Sequence, residues 1–178
     1  MPYNIGSRGS CMLGGNLGTN CGGSKFIRYK SLRSNVVGLE VVLADGTILN
    51  DMTTMRKDNS GYDLKQLFIG SEGTLGIITG AALTCPQIPF EKHLAMVGVD
   101  SFPRCVEILR LAKLNFRDSL SALEFMDQES TMSTYKVFPD RGATYPFSKE
   151  YPFTMLIEVE AYSEEDKADE RLLNFLGN

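Results

Sequence analysis

Seven glycines fall in the eighteen positions from Gly6 to Gly23, ending in Gly14-Gly15-Asn16-Leu17-Gly18-Thr19-Asn20-Cys21-Gly22-Gly23. A main chain so poor in side chains loses conformational entropy on folding, and what it gains is close access. Its amide groups can approach a bulky polyanion where any Cβ would collide, and residues with φ > 0 can turn several N–H groups towards one point. A second stretch, Gly70-Ser71-Glu72-Gly73-Thr74-Leu75-Gly76-Ile77-Ile78-Thr79, repeats the pattern with a strand attached. Glycine runs also serve as plain turns, but two loops of this kind point to one shared cofactor.

The common nucleotide motifs do not account for them. A P-loop needs Gly-x-x-x-x-Gly-Lys-Ser/Thr after a hydrophobic strand; Gly18 to Gly23 has the spacing, but Ser24-Lys25 stands in the wrong order and Arg8-Gly9-Ser10 is no strand. A Rossmann fingerprint needs glycine at positions 13, 15 and 18, where position 13 is Leu, and no helical pattern follows Gly18. Asp58-Asn59-Ser60-Gly61 lacks the alternating ligands and closing Glu of a calcium loop and reads as a turn. Cys11, Cys21, Cys85 and Cys105 show no C-x-x-C spacing; with His93 as the single histidine they make a poor metal set and read as reduced thiols.

The 178 residues are 43% hydrophobic and 22% charged, enough for one large or two small globular units. No run approaches the length of a bilayer span, and the start, Met-Pro-Tyr-Asn, carries neither a signal sequence nor an Arg-rich presequence. A net charge of −4 without a basic block gives no electrostatic footprint for nucleic acid. Residues 1–88 carry eight Lys/Arg and six Asp/Glu, net +2, whereas residues 89–178 carry ten and sixteen, net −6. Fourteen of the seventeen glycines precede residue 81, and Pro86 and Pro89 flank this change in texture, so Cys85 to Phe90 reads as a linker.

The elements that must position the glycine loops follow from periodicity. Val36 to Leu43 is β-branched and apolar, and Ala44-Asp45-Gly46 turns it into Thr47-Ile48-Leu49, a strand pair. Asp63 to Phe68 reads as one or two helical turns, and Gly76 to Thr84 as a strand leaving the second loop, so that loop sits beside a sheet. In the second half the expected order is strand His93 to Val99, helix Phe102 to Asn115 with Cys105, Leu109 and Ala112 on one face, strand Ser121 to Phe125, and helix Asp127 to Tyr135. After a connection containing Pro139 and Gly142, Tyr151 to Ala161 alternates Phe153, Met155, Ile157 and Val159 with Thr154, Leu156, Glu158 and Glu160. Ser163-Glu164-Glu165-Asp166 then opens a helix carrying Leu172, Leu173 and Leu176 as core. The class is α+β, the second unit being a small sheet covered on one side.

Four separated motifs in order carry a resemblance: Ser10 to Gly23; Gly38 to Thr47; Arg56-Lys57-Asp58-Asn59-Ser60-Gly61-Tyr62-Asp63-Leu64; and Gly70 to Thr79. They are similar to the FAD-binding domain of the vanillyl-alcohol-oxidase, or PCMH-type, flavoproteins. Within that superfamily they most resemble the D-2-hydroxyglutarate dehydrogenase branch, with glycolate oxidase and D-lactate dehydrogenase as near relatives. The likeness is strong over residues 1 to about 88 and weaker through Ser121 to Asp127 and the strand near Ile157-Glu158, which resemble the start of the family's substrate or cap domain. It implies residues 1–88 as the C-terminal half of a PCMH-type FAD-binding domain and 89–178 as a partial substrate domain, a middle segment of such an enzyme.

The resemblance further implies that Gly14, Gly15, Asn16, Thr19, Asn20, Gly22 and Gly23 pass along the flavin and its diphosphate, while Gly73, Gly76, Ile77 and Ile78 line the adenosine end. It implies FAD held noncovalently, so Cys21 is a small packed thiol rather than a flavin link. Glu72 is expected to cap a turn, or to accept from backbone or ribose. The implied reaction is hydride transfer from C2 of a D-2-hydroxy acid such as D-2-hydroxyglutarate to the flavin, giving 2-oxoglutarate. Electrons pass on to an electron-transfer flavoprotein; a homodimer and a mitochondrial address belong to the same implication. The family's divalent metal, zinc, has no ligands here, and no residue of this chain takes a catalytic role; His93 reads as an ordinary, partly exposed histidine. Residues 1–178 alone are therefore expected to be inactive. A different class of reading is a truncated non-catalytic product that associates with full-length subunits or has no function.

Overall fold

The β-branched run after residue 35 forms β1 (Val36–Val42), which turns at Asp45 and Gly46 into β2 (Ile48–Asp51). Asp45 accepts the N–H of Thr47 at 2.9 Å, and Gly46 adopts φ +85°, as the turn requires. The strand leaving the second glycine stretch, β3 (Ile77–Leu83), pairs antiparallel with the other edge of β1, giving the order β2-β1-β3. The structure is a computed structural model that describes residues 5–137 and 144–177. The start of the chain at residues 1–4 and the connection containing Pro139 and Gly142 lie outside the described residues.

The chain divides into two units, Met1–Gln87 and Ile88–Asn178. In the first, α1 (Leu13–Gly18), α2 (Phe26–Tyr29) and α3 (Lys65–Phe68) are short helices around the sheet. The core of this unit, to which α1 gives Leu17 and α3 gives Phe68, is Leu17, Leu32, Val36, Leu39, Val41, Phe68 and Ile69. Gly38 is required by close approach: a Cβ there would meet Thr53 N at 2.5 Å and Asp51 O at 2.9 Å.

In the second unit β4 (Glu91–Val99), α4 (Phe102–Phe116), β5 (Leu120–Asp127), α5 (Gln128–Val137), β6 (Phe153–Ala161) and α6 (Ala168–Leu176) follow in order. The sheet order is β4-β6-β5, with β6 central and antiparallel to both neighbours. The strands joined by α4 are thus parallel to each other but separated by a third, a split β-α-β arrangement. Cys105, Ala112 and Phe116 are buried on α4, and Cys105 packs with Val99 and Met155; Leu109 is only half-buried.

Three expectations for this unit change. The alternation along β6 does not carry over to burial: Thr154 and Glu160 are buried like the apolar residues beside them, and α5 lays Thr131 across Thr154 with 2.6 Å between the hydroxyls. The Tyr162 hydroxyl donates to Glu160 Oε2 at 3.0 Å. The final helix also starts later. Residues 164–166 form a 3-10 turn closed by a capping box between Ser163 and Asp166, and Lys167, in the left-handed region, breaks it from α6. On α6, Ala168 and Leu172 are buried, whereas Leu173 is 68% exposed and does not belong to the core.

Candidate functional site

The first glycine segment folds as a helix where a loop was expected. Residues 13–18 make α1 although three of its six residues are glycine; each costs about 1 kcal/mol relative to Ala in a helix interior. So short a helix is held by tertiary packing rather than propensity, and Leu17, 1% exposed, supplies that anchor in the core. Gly14 and Gly15 are exposed on the outer side of α1. A Cβ on Gly15 would meet nothing within 4 Å, and one on Gly14 would lie 3.5 Å from Ile78 O. The first turn of α1 also leaves the N–H groups of residues 13–15 without intrahelical acceptors, since Asn16 N is the first to bond back, to Met12 O.

Left-handed geometry enters at other positions than the helical glycines. In the first segment Asn20 has φ +49°, and in the second Gly70, Glu72 and Gly73 have φ +84°, +51° and +81°. These turns join the two segments. Gly70 N–H donates to Leu17 O and Glu72 N–H to Gly18 O, both at 3.0 Å. The two glycine-rich stretches, bonded through residues more than fifty positions apart in sequence, are therefore one surface.

The polar side chains on it are partly committed. Thr19 Oγ1 donates to Gly15 O at 3.0 Å, and Asn16 Nδ2 to Cys11 Sγ at 3.3 Å. Asn20 Oδ1 accepts Arg33 N–H at 3.0 Å, which leaves the Asn20 amide N–H groups as donors. Gly22 is exposed and Gly23 half-buried beyond the turn. Gly76 is explained by packing alone: a Cβ would sit 2.7 Å from Val41 Cγ1 and 2.9 Å from Val42 O. Ile77 is 63% exposed and Ile78 half-buried, side by side at the start of β3.

Other residues singled out by sequence take structural positions. Burial pushes the Cys21 thiol up, with the neighbouring Cys11 adding to the effect, and Cys21 packs against the core. His93 Nε2 lies 3.2 Å from Glu91 Oε2 on β4. Glu72 acts through its main chain, in the left-handed region, with its side chain exposed. Among the described residues no group of three or more His, Cys, Asp or Glu is placed to hold a metal ion. A cavity of about 730 Å³ in the second unit is lined by Ile108, Leu111, Phe116 and Phe175 and includes none of these candidates. Its arginines are engaged, Arg104 with Glu107 and Arg171 with the Asn115 carbonyl, each at 2.6 Å. Arg33 went unnoticed in the sequence, because a lone arginine in a polar turn carries no periodic or motif signal.

Residues 1–51 match the family described as FAD binding domain. The mitochondrial D-2-hydroxyglutarate dehydrogenase of Rattus norvegicus is 48% identical over 176 residues, which is 99% of this chain and 32% of that protein. In sequence the chain is thus similar to a D-2-hydroxyglutarate dehydrogenase. The Bos taurus protein of that name is 49% identical over 89% of this chain and 28% of its own length. A D-2-hydroxyglutarate–pyruvate transhydrogenase of Saccharomyces cerevisiae is 41% identical over 98% of this chain and 35% of its own. The chain thus spans about a third of the curated relatives it matches. In fold it is similar to a solved alkyldihydroxyacetonephosphate synthase, with a TM-score of 0.71, 20% identity, and coverage of 99% of this chain and 35% of that one.

Proposed function

We propose that this chain carries part of the FAD site of a D-2-hydroxy-acid dehydrogenase, with D-2-hydroxyglutarate as substrate and 2-oxoglutarate as product in the whole protein. The observation that carries the reading is the joining of the two glycine segments by the bonds from Gly70 to Leu17 and from Glu72 to Gly18, within a chain whose first 51 residues match the FAD binding domain family. A flavin dinucleotide is a large polyanion. The bare main chain at Gly14 and Gly15, with no atom where their side chains would project beyond Ile78 O, suits close approach of such a group.

In this reading Gly14, Gly15, Asn16, Thr19, Asn20, Gly22 and Gly23 lie along the flavin and diphosphate, and Gly73, Gly76, Ile77 and Ile78 along the adenosine end. N–H groups and the Asn20 amide bind and orient as neutral donors without a mobile counter-charge. Exposed Ile77 offers an apolar patch for a flat ring system. When bound, FAD supplies the hydride acceptor. Abstraction of the substrate hydroxyl proton falls to residues outside this chain, as does zinc: the described residues offer no fitting ligand set, and no metal step is assigned to them. An electron-transfer flavoprotein as acceptor, a homodimeric whole protein and a mitochondrial location, as in the names of the rat and bovine relatives, complete the proposal.

The test is the flavin content of the whole protein and of its Gly15→Val variant. The parent is expected to be yellow with stoichiometric FAD and the variant colourless. A variant that retains stoichiometric flavin removes residues 13–23 from the cofactor surface. The isolated 178 residues should give no 2-hydroxyglutarate-dependent dye reduction, and reduction by them contradicts the assignment of the catalytic groups elsewhere.

A further inference from the structure

The surface built from the two glycine segments depends on how the second is held, and one side chain reaches across to hold it. Arg33 Nη1 donates to Gln66 O at 2.8 Å and to Gln66 Oε1 at 3.1 Å, and Nη2 donates to Ile69 O. These carbonyls lie at the C-terminal end of α3, where the last turn of a helix lacks intrahelical donors. A guanidinium is suited to that end by charge and by its forked geometry. The main-chain N–H of the same residue donates to Asn20 Oδ1 at 3.0 Å. Asn20 is the left-handed residue that closes the first segment, and Gly70 is the left-handed residue that opens the second. At Gly70 a Cβ would lie 3.3 Å from Arg33 Nη2 and 3.4 Å from Asn20 Cβ, so the three residues define one another's positions.

We propose that Arg33 is a positioning residue: it pins the turn after α3 against Asn20 so that residues 13–20 and 70–76 present one continuous ligand face. Its partners are carbonyls, so its role is to aim main-chain donors rather than to neutralise a ligand. The consequence for FAD rests on the cofactor reading above; the pinning itself does not. Lysine keeps the charge but cannot fork to two carbonyls, so Arg33→Lys should fail as Arg33→Ala does.

The experiment is amide hydrogen exchange on the whole protein, paired with titration of its flavin-stripped form by FAD, for wild type, Arg33→Lys and Arg33→Ala. Exchange at Gly70 and Glu72 should speed up in both variants by about tenfold or more, as expected for the loss of charge-assisted bonds worth at least about 1.4 kcal/mol, while β1 amides keep their protection and show the unit still folded. FAD affinity should fall with the exchange protection. Unchanged exchange at Gly70 and Glu72 overturns the proposal, as does full protection in Arg33→Lys. So does faster exchange accompanied by unchanged FAD affinity, because the pinned turn then does not aim the ligand face. Should either variant lose β1 protection as well, Arg33→Gln serves in its place: its amide reaches one carbonyl at most, so the same local exchange must follow, and its absence overturns the proposal. A wild-type whole protein that takes up no FAD contradicts the cofactor reading alone, and the exchange comparison still decides the pinning.

Discussion

Each unit is organised around a three-stranded antiparallel sheet, yet the two handle their polar groups in opposite ways. In the second unit Ser121, Thr131, Thr154 and Glu160 are buried side chains, matched within the unit: Thr131 with Thr154, Ser121 with Glu158 at 2.6 Å, and Glu160 with Tyr162. Buried polar groups need such partners. In the first unit the conspicuous polarity is exposed main chain at Gly14, Gly15 and Gly73, and β2 is exposed at all four residues. One unit closes its hydrogen bonds internally. The other leaves donors facing outward on a surface whose shape, rather than whose side chains, is the specific feature.

The largest effect separates the buried centre of the second sheet from the exposed edge of the first. Ile157, fully buried on central β6, should cost about 3–4 kcal/mol as Ile157→Ala, whereas Leu49→Ala on the exposed edge should cost under about 1 kcal/mol. Urea unfolding followed by circular dichroism measures both, and equal losses would remove the distinction between centre and edge.

A smaller effect separates glycines that serve the fold from those that serve a ligand. Gly76→Ala drives a Cβ against Val41 and the Val42 carbonyl and should cost about 1–3 kcal/mol. Gly15→Val enters open space, and should change stability by less than about 0.5 kcal/mol while abolishing FAD uptake. If Gly15→Val destabilises as much as Gly76→Ala, the exposed face of α1 is structural.

The smallest effect concerns pH. Main-chain N–H bonds from Tyr162 and Ser163 hold the Asp166 carboxyl below its ordinary value. Its contribution is therefore complete above the ordinary carboxylate range, about pH 4, and is lost as pH falls through the lowered value. Exchange at the Tyr162 and Ser163 amides should rise on acidification in the parent and be insensitive to pH in that window in Asp166→Asn, once intrinsic rates are removed.

Strands and long helices were legible because their signals are periodic: the apolar run of β1, the turn at Gly46, the α4 face at Cys105 and Ala112, and the extent of the strand at β6 all survive folding, although the alternation along β6 does not carry over to its burial. What the sequence could not show came from contacts between distant residues. Nothing local distinguishes β6 as the central strand, so the burial of Thr154 by Thr131 was invisible, and Leu173 read as core because leucines at helical spacing do so until a neighbour fails to arrive. The helix at residues 13–18 was hidden by its glycines, whose propensity argues against it; burial of Leu17 overrides that preference. The pairing of the two glycine segments was expected only as a shared ligand, and the geometry adds direct bonds from Gly70 and Glu72. Arg33 had no local signal, since its partners lie more than thirty residues away.

The central claim is that two distant stretches form one FAD surface, and nuclear magnetic resonance of the isotopically labelled whole protein, stripped of flavin and titrated with FAD, tests it most directly. The amide signals of Gly14 and Gly15 should shift together with that of Gly73 along a single binding curve, leaving β6 unmoved. Shifts confined to one stretch, or none in either at saturating FAD, contradict it.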